Sequence, residues 1–280
     1  MVGGILAIQG NEGNIRKCAN YGNIIIVGNA YQYTGCGGIV GTINVGINKF
    51  INIEECLNKG DVTTLKNIGN LGGITGCVSN GGIVNLNKNI NYGKSKGGII
   101  GKEQQSGETI VTNCANYGEC ENGIVNDYSG AGWNSILKLD IKNCYNLGKV
   151  SNSGIIGSQG TVCKEIDLNI ENCYNAGMSN KPIIGKIFTN VNTNTITNIK
   201  NCYYDKSKST LPGEYTTGIT AMNETEMKNN QTFIDILNNN IGANAEWRRW
   251  KVGENKSFNL CYKQGMSNNE RITYRLAYRL

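Results

Sequence analysis

The stretch GGIIGKEQQSGETIVTNCANYG, residues 97–118, contains two arrangements that could do chemistry. A glycine-rich run ending at Lys102 could cradle a phosphate, and Cys114 could serve as a nucleophile. A phosphate loop of the form G-x-x-x-x-G-K-S/T needs four residues between its glycines and a hydroxyl after its lysine. Gly97 and Gly101 are one residue too close, and Glu103 follows Lys102. The same slot reads GGIVGT at 37–42 and SGIIGS at 153–158, without the lysine. A phosphate site copied several times without its lysine makes little chemical sense, so the run is assigned to a strand. Cys114 fares no better, because the chain has no histidine. That absence also removes Ser-His-Asp triads, Cys-His dyads and every zinc site built on imidazole. The eleven cysteines include no C-x-x-C, so the usual zinc and redox spacings are missing. They are assigned to packing, as small buried hydrophobes. Disulfides among the off-pattern Cys36, Cys77 and Cys163 are the alternative.

What must position these residues is a repeat. One pattern is GGIVG and its variants, centred on Ile5, Ile39, Ile74, Ile99, Ile124, Ile155 and Ile183. The other runs apolar-x-x-Cys-x-Asn-x-Gly, with Cys18, Cys56, Cys114, Cys144 and Cys173 in one slot and Asn89 standing in for cysteine once. A seventh copy, IKNCYYDK at 199–206, keeps Cys202 and loses the Asn and Gly. Spacing runs from 25 to 38 residues and settles at 29 or 30. After each repeat glycine, a polar residue precedes a small or apolar one, as in Asn23–Ile24 and Asp61–Val62. Such alternation marks a strand with one buried side.

One unit cannot bury its apolar face alone; stacking units does, with strands about 4.8 Å apart. The expected architecture is all-β: a parallel β-helix of about six to seven coils, with the isoleucines in one inner stack. Glycines and the repeated Asn20, Asn58, Asn91, Asn116, Asn146 and Asn175 are expected at corners with positive φ. The asparagines can also bond one another in a ladder. Ile141 and Cys144 are three apart, an odd step that would split them between faces. A bend at Asn113, Asn143, Asn172 and Asn201 would turn both inward.

The GGIVG pattern resembles the GLUG motif (Gly-Leu-hydrophobic-Gly) of bacterial surface proteins, with Ile in place of the usual Leu at 37–41, 97–101 and 153–157. The resemblance covers about residues 1–206. It implies a surface-exposed stalk or binding module. The family also includes regions beside zinc metallopeptidases that cleave IgA, but those need H-E-x-x-H, which a chain without histidine cannot supply.

Three segments are expected: the solenoid at 1–210, a capping segment at 211–265 and a tail at 266–280. In MNETEMKNNQTFIDILNNNIG, Asn223 is an expected N-cap with Glu226 as its capping-box partner. Phe233, Ile234, Leu237 and Ile241 recur at helical spacing, and Gly242 ends the helix. Trp247 and Trp250 are expected to pack the cap against the last rung; a ligand platform is the competing use. The tail RITYRLAYRL alternates strictly and is either an edge strand or an extension.

The formal charge is +6, of which +5 lies in residues 241–280. A nucleic-acid binder would spread its basic stripe over the main fold, so no nucleic-acid partner is expected. No apolar run is long enough to span a membrane, and MVGGILAIQG lacks the basic region and cleavage site of a signal peptide. The first residues already lie inside a repeat, so the chain is expected to continue a longer polypeptide whose signal and anchor lie elsewhere.

The expected function is non-catalytic and needs no cofactor or metal. It is a structural or adhesive module of a bacterial cell-surface or secreted protein. It would bind surface glycans or extracellular proteins through loops carrying Tyr31 and Tyr33, and Tyr128 and Trp133. Covering exposed core is the competing use of those aromatics. The alternative function is a polysaccharide lyase or glycosidase, which needs clustered carboxylates. Asp61, Asp127, Asp140, Asp167, Asp205 and Asp235 share no slot that builds one.

Overall fold

β-Branched pairs separated by glycine and asparagine make short strands with frequent corners, and they wind as the repeat requires. The computed structural model describes residues 1–28, 34–66, 70–79, 81–104, 107–129, 135–160, 163–186, 194–211, 215–228, 230–252 and 258–260. Residues 1–224 form one unit and 225–280 a second.

The first unit is a parallel β-helix. Three stacked sheets run along it, containing six, seven and eight of the described strands. The first face begins Leu6–Gly10, Val40–Asn44, Thr75–Ser79, and the second Gly13–Arg16, Phe50–Glu54, Ile83–Asn87. The third is built on two-residue strands, such as Leu57–Asn58 and Ala115–Asn116. It runs on past residue 210, where Ile219–Met222 pairs in parallel with Cys202–Asp205. Smaller parallel sheets close the remaining side, including Val62–Thr64 on Ile24–Ile26 and Cys120–Asn122 on Val150–Ser153.

The isoleucine stack forms as expected. Each amide donates to the next isoleucine's carbonyl, from Ile5 to Ile39 at 3.1 Å through to Ile155 and Ile183 at 3.0 Å. Ile39, Ile74, Ile99, Ile124, Ile155 and Ile183 are fully buried, each worth about 1.5–3 kcal/mol. Ile5, covered by a coil on one side only, stays 50% exposed. The bend before the cysteine slot is also present. Asn113, Asn143, Asn172 and Asn201 take φ between 52 and 54°, so Ile141 and Cys144 both face inward. Lys17, Glu55 and Lys88 adopt the same left-handed backbone in the other coils. This corrects the expected placement of positive φ: neither the repeat glycines nor the ladder asparagines have it, and the residue before the cysteine slot does. The repeat glycines serve close approach instead.

The asparagine ladder runs unbroken through six coils. Asn20, Asn58, Asn91, Asn116 and Asn146 each donate from Nδ2 to the next Oδ1 at 2.8–2.9 Å. Each also brackets its own turn: Asn116 donates to the Gly118 carbonyl at 3.0 Å and accepts from the Gly118 amide at 3.2 Å. Tyr204 stands in the ladder slot of the seventh coil. Asn175 therefore turns its Nδ2 to Ser179 Oγ, at 3.0 Å.

In the second unit, the expected single helix is two. A turn, Glu224–Met227, crosses the unit boundary, and the main helix is Gln231–Ile241. Asn230 is extended (φ −97°) and caps the latter, accepting from the Thr232 amide at 2.9 Å. Asparagine favours caps over helix interiors because its amide competes for nearby backbone. Phe233, Ile234, Leu237 and Ile241 are buried, and Gly242 ends the helix at φ 57°. Asn238 clamps Trp250, accepting from its amide at 2.7 Å and donating to its carbonyl at 3.0 Å. Trp247 and Trp250 are buried and offer no ligand platform.

Candidate functional site

The expected ligand residues part company. Tyr31, Tyr33 and Trp133 lie outside the described residues. Tyr128 is a correction: it is 0% exposed and offers no face to a ligand. It stands in register with Glu103, Val78 and Ile43, a column whose side chains all point inward.

The cysteine row packs as small hydrophobes, and the described cysteines are free. The thiols of Cys114 and Cys144 donate to carbonyls two residues back, at 3.2 Å each. The Cys144 sulfur accepts the Cys114 amide of the preceding coil at 3.4 Å. Where the slot holds Asn89, its amide is satisfied by the Cys56 N–H and the Ile53 carbonyl, at 3.0 and 2.8 Å. Burial pushes Cys56 and Cys77 up to about 12 and Cys120 up to about 11. Thiolate is the nucleophile, so these thiols are inert. Iodoacetamide at mildly alkaline pH should leave Cys56, Cys77 and Cys120 unlabelled in the native protein, with half-buried Cys18 reacting ahead of them. Unfolding should release all eleven, counted by mass spectrometry.

The surface carries a different constellation. The residue between ladder asparagine and repeat glycine points outward in successive coils: Tyr21, Lys59, Tyr92, Tyr117. Tyr92 and Tyr117 stack at 4.7 Å with 9° between rings. Tyr117 meets Tyr145 edge-on at 5.7 Å and shares a 2.5 Å hydroxyl bond with it. Lys59 lies 5.3 Å from the centre of the Tyr21 ring. Tyr21 is 59% and Tyr92 38% exposed. Strand spacing sets the pitch: rings on adjacent coils fall within the 4.5–7 Å range of favourable aromatic pairs.

Two residues further on, across the glycine column, runs a charged stripe. Lys94 pairs with Glu119 at 3.2 Å and Lys96 with Glu121 at 3.9 Å, each between neighbouring coils. Asp61 accepts the Lys94 backbone amide at 2.7 Å. Beside the stripe lies a groove of about 300 Å³, whose lining includes Val62, Thr64, Leu71, Lys96, Glu121 and Lys149. It sits where the long connection around Thr64 and Leu71 gives way to the short Lys94–Gly97 passage.

One carboxylate pair forms that the sequence spacing hides. Asn169 donates to Asp140 of the preceding coil and to Asp167 of its own strand, at 3.0 Å each. Lys142 also bonds Asp140. The pair lies on the outer surface of the second face and continues a polar row with Asn198, which donates to Asn169 at 2.9 Å. Among the described residues no group of three or more His, Cys, Asp or Glu could hold a metal ion.

No family model matches this chain, and no curated protein matches it significantly. Among solved structures, it is similar to the crystal structure of a candidate immunoglobulin A1 protease from Bacteroides ovatus. Identity is 17% and the TM-score 0.43, over 85% of this chain and 74% of that one. No helix among the described residues is long and apolar enough to cross a membrane.

Proposed function

We propose that this chain is a non-catalytic β-helical module of a bacterial surface or secreted protein, of the GLUG-repeat kind, and that it binds glycan along the tyrosine stripe. The observation that carries the reading is the stacked pair of exposed Tyr92 and half-buried Tyr117, continued by Lys59 and Tyr21. The ring edges at the surface and the face of Tyr92 turned away from Tyr117 can take the C–H side of a sugar ring. The neighbouring Lys94, Glu119, Lys96 and Glu121 offer donors and acceptors for its hydroxyls. Partly exposed tyrosines are also frequent affinity hot spots, each costing about 2 kcal/mol or more when removed.

The double variant Tyr92→Ala/Tyr117→Ala should weaken glycan binding at least about tenfold on an array followed by calorimetry. Loss of the ring pair should cost about 0.5–1.5 kcal/mol for the stacking, with about 1 kcal/mol more for the hydroxyl bond to Tyr145 that goes with Tyr117. Unchanged glycan binding with lost binding to an extracellular matrix protein would reassign the stripe to protein recognition. Unchanged binding to both would remove the stripe from the reading. The Asp140–Asp167 pair is the point at which an enzyme could enter, so the same preparations belong in a polysaccharide depolymerisation assay. Activity lost in Asp140→Asn would replace the binding module with a glycosidase.

A further inference from the structure

We propose that Glu103, buried inside the fourth coil against Thr109, makes the solenoid firmest in acid and less stable as pH rises. The columns of the coil interior show how unusual its position is. On the first face it follows Ile43 and Val78 and precedes Tyr128. On the second face Thr109 follows Ile51 and Val84 and precedes Leu139 and Leu168. Both columns turn polar in the same coil, and the two side chains meet there: Thr109 Oγ1 donates to Glu103 Oε2 at 2.9 Å. Glu103 is 0% exposed, and its Oε1 has no partner. Neither has Tyr128 Oη or Gln104 Nε2.

A carboxylate with one donor in a dry core is unfavourable, because water's several hydrogen bonds are not replaced. A neutral acid is tolerable there. Burial accordingly pushes Glu103 well above the usual carboxylate range, and the Thr109 bond pulls it back only in part. The groups in its column and against it are Thr109 on its own coil, Val78 on the preceding coil and Tyr128 on the following one, while Gln104 and Cys77 flank these strand positions by one residue. Cys163 lies beyond Tyr128, and the Lys102–Asp127 ion pair, at 3.3 Å, sits on the outer surface. Burial holds Cys77 at about 12 and raises Tyr128 and Cys163 as well. Thiols and phenols start from alkaline ordinary values and are pushed higher still here, so the carboxyl of Glu103 is the group of this part of the core expected to lose its proton first as pH rises.

The sign follows from linkage. A carboxyl held above its unfolded value contributes stability that is complete below the ordinary glutamate value of 4.5. That contribution drains away as pH rises toward the raised value. Across the window the folded-to-unfolded ratio drops about tenfold per pH unit. Tyr117, Glu119 and Glu121 belong to the same coil, so its loosening reaches the surface stripe.

The experiment is urea unfolding of the full chain at about pH 5 and about pH 8, for wild type, Glu103→Gln, Glu103→Val and Tyr128→Phe. Valine matches Val78 in the column and protects the test against a glutamine variant that fails to fold. Both Glu103 variants should gain at least about tenfold in folding constant over wild type on going from the acid to the alkaline condition. Tyr128→Phe should keep the wild-type slope. Parallel slopes for wild type and the Glu103 variants would overturn the proposal. So would a slope flattened by Tyr128→Phe, which would place the proton on the phenol.

Discussion

Gly118→Ala is expected to destabilise the solenoid by about 3 kcal/mol. A Cβ at this position would sit 2.0 Å from the Gly93 carbonyl oxygen and 2.9 Å from Asn91 Nδ2. The first of these is backbone, so no rotamer change relieves it. Only separation of the third and fourth coils would, and that stretches the ladder bond between Asn91 and Asn116 and the amide of Tyr117 bonded to the Asn91 carbonyl. The clash recurs from the second coil onward, because Gly93 meets the Gly60 oxygen at 1.9 Å and Gly148 the Gly118 oxygen at 2.0 Å in the same way, whereas Gly22 of the first coil meets only its own Asn20, at 3.9 Å. Stability in a solenoid is a sum over neighbouring units, so one broken interface uncouples the coils on either side. Thermal unfolding followed by circular dichroism should show a midpoint lower by roughly 6–12 °C. Gly28→Ala is the control. Nothing lies within 4 Å of its added methyl, and its midpoint should match wild type. Equal midpoints for Gly118→Ala and wild type would mean the coils are looser than the register implies.

The glycine slot also shows where sequence reasoning stops. A glycine repeated at one slot says that a Cβ is unwelcome; it does not say whether φ or a neighbouring coil forbids it. Corners with positive φ were the expectation, and neighbour contact is the answer. The inner columns were legible because a repeat states its inward positions many times over. Ile39, Cys114 and Asn116 each have buried copies in the inner coils, with Ile5 and Cys18 of the first coil the more exposed ones. Tyr128 has no such copies in its column, which holds Ile43, Val78 and Glu103, and an aromatic among polar neighbours resembles a loop residue. Asp140 and Asn169 stand one regular repeat apart, but Asp167 sits two residues off that register, and the side chain that joins the two carboxylates is an asparagine, which a search for clustered acids passes over. The tyrosine stripe occupied the position between ladder Asn and Gly, where Tyr21, Lys59, Tyr92 and Leu147 share no burial preference and so resembled filler. Outward columns are free to vary, and function on a solenoid is written there for the same reason.

Asn116→Ala should be the most damaging polar substitution, at about 3–5 kcal/mol from several buried groups orphaned at about 1–3 kcal/mol each and not fully additive. The amide of Asn91 loses its acceptor, and Asn146 Oδ1 loses its donor. The Gly118 amide and carbonyl both lose their bracket. Alanine supplies no group to any of them, and Asn116 is fully buried, so water cannot substitute without opening the coil. Asn20→Ala removes the same kind of side chain at the first coil. It ends only one ladder bond, to Asn58, and its turn at Gly22 is partly exposed to solvent. Its cost should be about 1 kcal/mol. Urea midpoints of the two variants therefore separate a ladder that stabilises from asparagines that only shape turns: in the second case the two losses would be equal. Asn116→Asp sharpens the test. Aspartate keeps the shape but turns a donor into an acceptor facing Gly118 O and Asn146 Oδ1, and burial favours its neutral form. Its deficit should be largest at neutral pH and shrink as the solution is acidified, when the protonated oxygen can donate to one of those two acceptors. A deficit that stays constant with pH would show that no proton enters the ladder and that the side chain has left it.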